Sequence, residues 1–383
     1  MLNAKNVVTI KDYKVFHDRQ AEGYATEFSS FIMEGGRIFG FICGSYTSFE
    51  DDQLGQFTFT STTDDFGKTW SEPQKFAEHF TKEPKRETLL LGGRMTAAGT
   101  LLVRGFHIGK GEEGAKFYGD VNYRQYDLII GRKEAGAADF VWTVHPSGEF
   151  MGEQFMEGGV QLPDGRLVYA MWGMERKGEN WQCGVLVSDD DGRSWKYNQV
   201  GYEPSMDIRN KPETPAGYNE QSLFVTQSGK IVSIIRGRDK LAQIDGSPRD
   251  TWFSRSESSD RGETWTKPDV VKVPGTGAAG VGLTLPDGSL LHACRIPYAR
   301  DILDLPEPDF FGLHLARSFD EGRTWQTEAI IQRDPEGDGF DNYYAALNGQ
   351  FLQTGPNEYH YIFGHYGKAK VINRLLALVL EIT

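Results

Sequence analysis

A chain of 383 residues is longer than the roughly 100–200 that one ordinary domain core accounts for, so either several domains or a repeating array is required. The net charge of −13 argues against a phosphate-binding groove for nucleic acid, while leaving room for a local arginine cluster that meets a small anion. Three cysteines, Cys43, Cys183 and Cys294, lie far apart without CxxC spacing, which excludes a zinc-ribbon or disulfide framework and leaves them as thiols within apolar runs.

The chain begins MLNAKNVVTI, with no apolar run of signal-peptide length, and no later stretch approaches the roughly 20 apolar residues of a membrane span. The expectation is a soluble protein, either cytoplasmic or exported with its signal removed. After the strand-like Val7–Ile10 (or Val15–Phe16), one unit recurs: a β-branched or aromatic run, a glycine turn, and another such run. The turns are EGGR at 34–37, AAGT at 97–100, PDGR at 163–166, QSGK at 227–230, PDGS at 286–289 and QTGPNEY at 353–359. Their glycines, Gly36, Gly99, Gly165, Gly229, Gly288 and Gly355, are separated by 63, 66, 64, 59 and 67 residues, which predicts six hairpins at a near-constant period.

A second phrase interleaves with the first. It reads Thr63-x-Asp65-x-Gly67-x-Thr69-Trp70 and returns at Ser188–Trp195, Ser258–Trp265 and Ser318–Trp325. The hydroxyl and carboxylate can cap backbone N–H groups of a turn, the glycine supplies positive φ, and the tryptophan packs into a core. A worn copy, Asp139 and Trp142 without the glycine, falls in the second unit, and the sixth unit has none.

This octapeptide resembles the Asp-box, or bacterial neuraminidase repeat, of the sialidase superfamily, and the resemblance covers nearly the whole chain. It implies an all-β, six-bladed β-propeller with each box on a blade's outer hairpin, remote from the active site. The blades are expected at about 17–80, 81–150, 151–200, 201–272, 273–333 and 334–383, forming one domain over 1–383. The last blade ends one strand short at Leu375–Ile382, so the N-terminal strand, within 5–16, is expected to pair there and close the ring. The segments 105–123, 202–217 and 298–308, rich in Gly, Pro, Glu and Asp, read as loops over one face, with a short helix conceivable near Ile302.

In a propeller the ligand-facing mouth lies at the ends of the inner strands away from these turns. At about 3.3 Å per residue, each blade offers a window about nine to twelve residues before its turn glycine and another about seven to ten after it. Those windows contain His107, with Arg104 just inside, and Trp172. They also hold Glu220, Arg236 and Arg238, then Arg295 and Tyr298, and finally Tyr343, Tyr344 and His365. Arg236 and Arg295 end apolar runs at the same offset, seven, from their turns. A buried arginine requires a ligand anion or a local carboxylate, here Glu220 or Asp239.

The family resemblance assigns roles to several of these residues. Sialidases clamp a substrate carboxylate with three arginines and use a tyrosine nucleophile assisted by a glutamate, with an aspartate as acid/base. The segment from Asn219-Glu220 to Arg236 is similar to the family's glutamate-to-arginine stretch. The resemblance therefore implies Glu220 as the base, Arg236 and Arg295 as clamps, and Tyr344 (or Tyr343) as nucleophile. The acid would be Asp51 or Asp52. A phenol of ordinary pKa about 10 needs such a carboxylate to take its proton. The family's first-blade Arg-Ile-Pro is replaced here by Tyr24-Ala25-Thr26-Glu27, leaving Arg19 or Arg104 to supply the third clamp, with Arg238 nearby in sequence.

The expected activity is that of an exo-acting, retaining glycoside hydrolase on an acidic sugar. The expected partner is a carbohydrate, with no nucleic acid, cofactor or metal. One alternative is a related hydrolase or lyase for other acidic glycans using His107 as acid/base; another is a non-catalytic carbohydrate-binding propeller. Trp172, Tyr298 and His365 are the candidate sugar-stacking walls, or else packing residues.

Overall fold

The computed structural model describes residues 6–18, 25–45, 56–75, 86–109, 128–145, 159–173, 181–202, 217–238, 243–244, 247–248, 251–274, 280–296, 312–331, 349–366 and 372–383. These residues form six four-stranded antiparallel sheets and one small two-stranded hairpin (Gln243–Ile244 with Ser247–Pro248). Strands of blade one follow chain order from inside to outside: Ala25–Glu34, Arg37–Ser45, Gln56–Thr63 and Gln74–Lys75. Blades two to five repeat that meander, starting from Arg86–Met95, Val160–Gln161, Gly217–Val225 and Gly280–Thr284.

Blade six borrows its outer strand. Its order is Gln350–Gln353, Glu358–Tyr366, Ile372–Ile382 and then Val8–Asp18. The N-terminal strand thus closes the ring, pairing Val8 with Ile382 through to Asp18 with Arg374, and it includes both runs considered from the sequence. Two bulges interrupt its ladder, at Ile10/Asp12 and Val15/His17. Asn6 adds a reciprocal pair with the blade-five turn: its N–H donates to Asp287 Oδ2 at 2.8 Å, and the Asp287 N–H donates to Asn6 Oδ1 at 2.7 Å.

Apolar clusters fill the spaces between neighbouring blades. One joins blades three and four through Val185, Leu223 and Trp252; another joins blades six and one through Phe16, Phe31 and Ile362. Because each sheet is covered on both faces by its neighbours, its strands read as continuous apolar runs, as in Leu167–Gly173. Polar ties accompany them. Gln350 Nε2 donates to Phe31 O and Gly93 O, binding blades six, one and two. Ser222 Oγ donates to Gly280 O across blades four and five.

Five of the six turn glycines adopt left-handed φ, between 81° and 94°. Gly355 does not. Its turn is longer and contains Pro356, and it is closed by Thr354 N–H donating to Glu358 O at 3.0 Å, so it needs no left-handed glycine there. The second strand of blade two runs on to Gly109, into the segment read as loop from the sequence. Ile302 and most of the other two loop segments lie outside the described residues. Among the described residues, no helix is long and apolar enough to cross a membrane.

The four boxes fold alike. In each, the Ser or Thr hydroxyl donates to Asp Oδ1 and accepts the glycine N–H at 2.8–2.9 Å. The Asp Oδ1 and Oδ2 then accept the N–H and hydroxyl of the next Ser or Thr. The residue before each glycine, Phe66, Asp191, Arg261 or Glu321, is itself left-handed. Its carbonyl faces the preceding blade, where a cation donates to it: Lys14 Nζ to Phe66 O, Arg132 Nε to Asp191 O, Arg166 Nη1 to Arg261 O and Arg255 Nε to Glu321 O. Each box is therefore a clasp between blades as well as a turn.

Candidate active site

Blade four carries the described part of the site. Asn219 lies opposite Arg236, and Gln221 opposite Ile235, so Glu220 is an extra residue, a β-bulge. A bulge breaks the two-residue alternation and re-aims a side chain. Here it sits at the end of the inner strand remote from the Gly229 turn, beside the end of the next strand. Arg236 Nη1 donates to Glu220 Oε2 at 2.5 Å.

The Glu220 and Arg236 side chains are 11% and 13% exposed, so each charge has lost most of its hydration and is compensated by the other. Arg236 Nε and Asn219 Oδ1 are buried without a hydrogen-bond partner among the described residues. The sequence offered a local carboxylate or a ligand anion as partners for Arg236. The carboxylate is present, and the guanidinium retains unused donor capacity.

The backbone around Glu220 is held from blade three. Gln221 Nε2 donates to Met171 O at 2.8 Å and to Gly184 O at 2.5 Å, while Ser233 Oγ donates to Gln221 Oε1 at 2.7 Å. Cys183 Sγ donates to Asn219 O at 3.2 Å. Burial, and after it the Glu220 carboxylate, push the Cys183 thiol well above its ordinary pKa, so it is a neutral donor and no nucleophile. Apart from Cys183, read as a thiol within an apolar run, none of these supports was singled out in the sequence. A bulge and a buried glutamine leave no periodic signal.

The other predicted residues divide. Asp51, Asp52, Tyr298, Tyr343 and Tyr344 lie outside the described residues, as do the side chains of His107, Arg238, Arg295 and His365. Trp172 is 5% exposed, with its ring centroid 4.8 Å from that of Trp181 in the core between blades three and four. Of its two readings, sugar-stacking wall or packing residue, this burial favours packing: a ring enclosed by apolar neighbours has no face to offer.

Arg104 is 3% exposed, and its guanidinium carbon lies 4.0 Å from the centre of the Tyr169 ring. It lines a hub cavity of about 340 Å³ instead of accompanying Glu220 and Arg236, which do not line it. The cavity walls come from blades two to six and include Leu223 and Val225, further along the Glu220 strand towards its turn. The hub is thus open and partly polar. Among the described residues, no group of three His, Cys, Asp or Glu side chains is placed to hold a metal ion.

Comparison with known proteins adds three findings. The model of the BNR repeat-like domain matches residues 140–361. No curated protein matches the sequence. Among solved structures, the fold is similar to a protein of unknown function from Dyadobacter fermentans, at 17% identity and TM-score 0.68, covering 98% of this chain and 99% of that one. It is also similar to the Hadza microbial sialidase Hz136, at 13% identity and TM-score 0.67, covering 96% of this chain and 68% of that one. A third likeness is to Trypanosoma rangeli sialidase in complex with the inhibitor DANA, at 14% identity and TM-score 0.58. It covers 94% of this chain and 55% of that longer protein. The fold is that of a sialidase-type six-bladed propeller.

Proposed function

Because the chain belongs to the BNR repeat-like domain family, we propose that it is an exo-acting glycoside hydrolase for a carboxylate-bearing sugar, sialidase-like and retaining. The observation that carries this reading is the Glu220–Arg236 pair, delivered by a bulge to the inner-strand end of blade four and withdrawn from water. A carboxylate fixed by a guanidinium is held in one orientation, as a base must be, and a guanidinium with a spare donor edge suits a second, incoming carboxylate.

In the reaction, Arg236 and Arg295 hold the sugar carboxylate. Glu220 takes the phenol proton of Tyr344 (or Tyr343) as the phenolate oxygen bonds to the anomeric carbon and the glycosidic C–O bond breaks. Asp51 or Asp52 delivers a proton to the departing oxygen. Water, giving a proton to the now ionised Asp51 or Asp52, then attacks the glycosyl–tyrosine from the same face as the departed group, while Glu220 returns its proton to the leaving phenol oxygen and the sugar is released with retained configuration. The replacement of the family's first-blade Arg-Ile-Pro by Tyr24–Glu27 favours acidic sugars beyond sialic acid, uronic acids included.

The test is hydrolysis of aryl glycosides of sialic, ketodeoxynononic and uronic acids by the full chain and by Tyr344→Phe, Tyr343→Phe and His107→Ala. Turnover of at least one substrate, lost on replacing either tyrosine, is the expected result. Activity lost with His107→Ala but kept by both tyrosine variants would select the His107 chemistry instead. Binding without turnover across the panel would select a lectin-like propeller.

A further inference from the structure

The hub holds a second feature, away from the Glu220–Arg236 pair. Arg94, near the turn end of the innermost blade-two strand, donates through Nη1 to Gly159 O at 2.9 Å and also hydrogen-bonds the Tyr169 phenol. Both acceptors are neutral. Its Nε is buried without a partner, and no Asp or Glu stands among the described residues that line the cavity. Arg104 lies over the Tyr169 ring, so two guanidiniums converge on one tyrosine.

The remaining polar walls are committed elsewhere. Gln161 Oε1 accepts from Ala97 N–H and its Nε2 donates to Gly165 O, Thr284 Oγ1 donates to Val225 O, and both ends of Gln350 are used on Phe31 and Gly93. Among the described lining residues, what is left without a carboxylate is therefore the positive charge of Arg94, beside the Tyr169 phenol it hydrogen-bonds. Arg94 is half-buried, with its Nε out of reach of water, and a cation so placed and balanced only by neutral acceptors gains from an anion in the adjoining space. A volume of about 340 Å³ is at the small end for ligand pockets and suits an oxyanion with a few waters.

We propose that the turn-side half of the hub is a binding site for a small oxyanion (phosphate, sulfate or a small carboxylate), held by the Arg94 guanidinium and the Tyr169 hydroxyl. Such an ion ties blade two to its neighbour blade three, where Arg94 already donates to Gly159 O. Arg104 supplies long-range attraction from behind the Tyr169 ring.

Thermal unfolding of the full chain in inorganic phosphate, sulfate or acetate, against sodium chloride of equal ionic strength, tests this. A ligand at a hundred times its Kd is expected to raise Tm by about 3 °C for a chain of this length, and Tm should go on rising with the logarithm of its concentration. The rise should be lost in Arg94→Gln, weakened at least about fivefold in affinity in Tyr169→Phe, and kept in Arg236→Gln. A rise no larger than that in chloride, or one lost with Arg236→Gln and kept with Arg94→Gln, overturns the proposal, the latter placing the anion at the mouth. Should the hub variants not fold, anomalous scattering from wild-type crystals soaked in selenate decides. A peak beside Arg94 supports the site, and peaks only elsewhere overturn it.

Discussion

The rim and the hub of this propeller are built on opposite principles. At the rim, one octapeptide is used four times and gives nearly the same hydrogen bonds each time, because every donor and acceptor it needs lies within four residues. Around the axis nothing repeats: Glu220 and Arg236 pair with each other inside blade four, while Arg94 and Gln350 are single residues whose partners come from other sheets. Repetition serves stability, since a clasp can be copied from blade to blade. Chemistry requires different groups converging on one point, so the hub cannot be periodic.

The boxes are not wholly equal. Trp195, Trp265 and Trp325 donate their indole N–H within their own turns, to Gly192, Gly262 and Gly322 O at 3.0–3.2 Å. Trp70 instead donates to Phe16 O at 2.7 Å, on the N-terminal strand that closes the ring. Phe16 in turn sits edge-on to Phe31 and Trp70. The first box therefore holds the closure as well as its own turn.

The largest expected effect separates chemistry from stability. Glu220→Gln keeps an acceptor for Arg236 but removes the base, so turnover of whichever aryl glycoside is a substrate should fall by about 10²–10⁴-fold with little change in Tm. A large loss of Tm together with activity would make the pair a structural element like those at the rim.

Next comes the closure. Gly67 has φ +88°, and a Cβ there would stand 2.7 Å from the Phe16 ring, whereas Gly229, at +82°, has open space around it. Gly67→Ala should cost about 3 kcal/mol, combining left-handed strain with overpacking, and Gly229→Ala about 1 kcal/mol. Denaturant midpoints of the two variants would measure the difference. Equal losses would show that the first box does no more than a simple turn.

The smallest effect is a pH dependence with two windows. Burial holds His292 down to about 3, between Phe253 and Trp325, with Ser222 Oγ 3.1 Å from its Nε2. Its folded pKa lies below the ordinary value of about 6.5. Its contribution is therefore present above about pH 6.5 and is lost as pH falls towards 3. At the rim, burial tends to raise Asp190, but hydrogen bonds from Ser194 and Ser188 outweigh it and hold the carboxyl down to about 2. In Asp260 the hydrogen bonds from Thr264 are the leading influence, again to about 2. Those contributions persist to about pH 4 and are lost only below it. Tm measured from pH 7 to pH 3 should fall in two stages, and His292→Gln should lessen only the first, to which His314, held down to about 4 by burial, also contributes.

What could be read in advance follows the same division. The turn glycines and the Ser-x-Asp-x-Gly-x-Thr-Trp phrase announced six hairpins and four outer turns, because a turn is a local solution to backbone hydrogen bonding. The missing last strand was legible too, since an uneven count of strands demands a partner. Glu220 and Arg236 were visible as charges at odds with their apolar strands, and their pairing was among the alternatives. Trp172 was left between stacking wall and packing residue because a tryptophan at a strand end has the same letter whether it faces sugar or another tryptophan.

The sequence by itself determined the blade count, the boxes and the closing strand, since each depends on spacing and side-chain chemistry within a few residues. Only the tertiary structure decided that Glu220 occupies a bulge, that the box carbonyls clasp the preceding blade, and that Arg94 and Arg104 meet at Tyr169. Those outcomes depend on how separate sheets dock around an axis. Docking is fixed by side-chain volume and register summed over many residues, and no single stretch of chain carries that information.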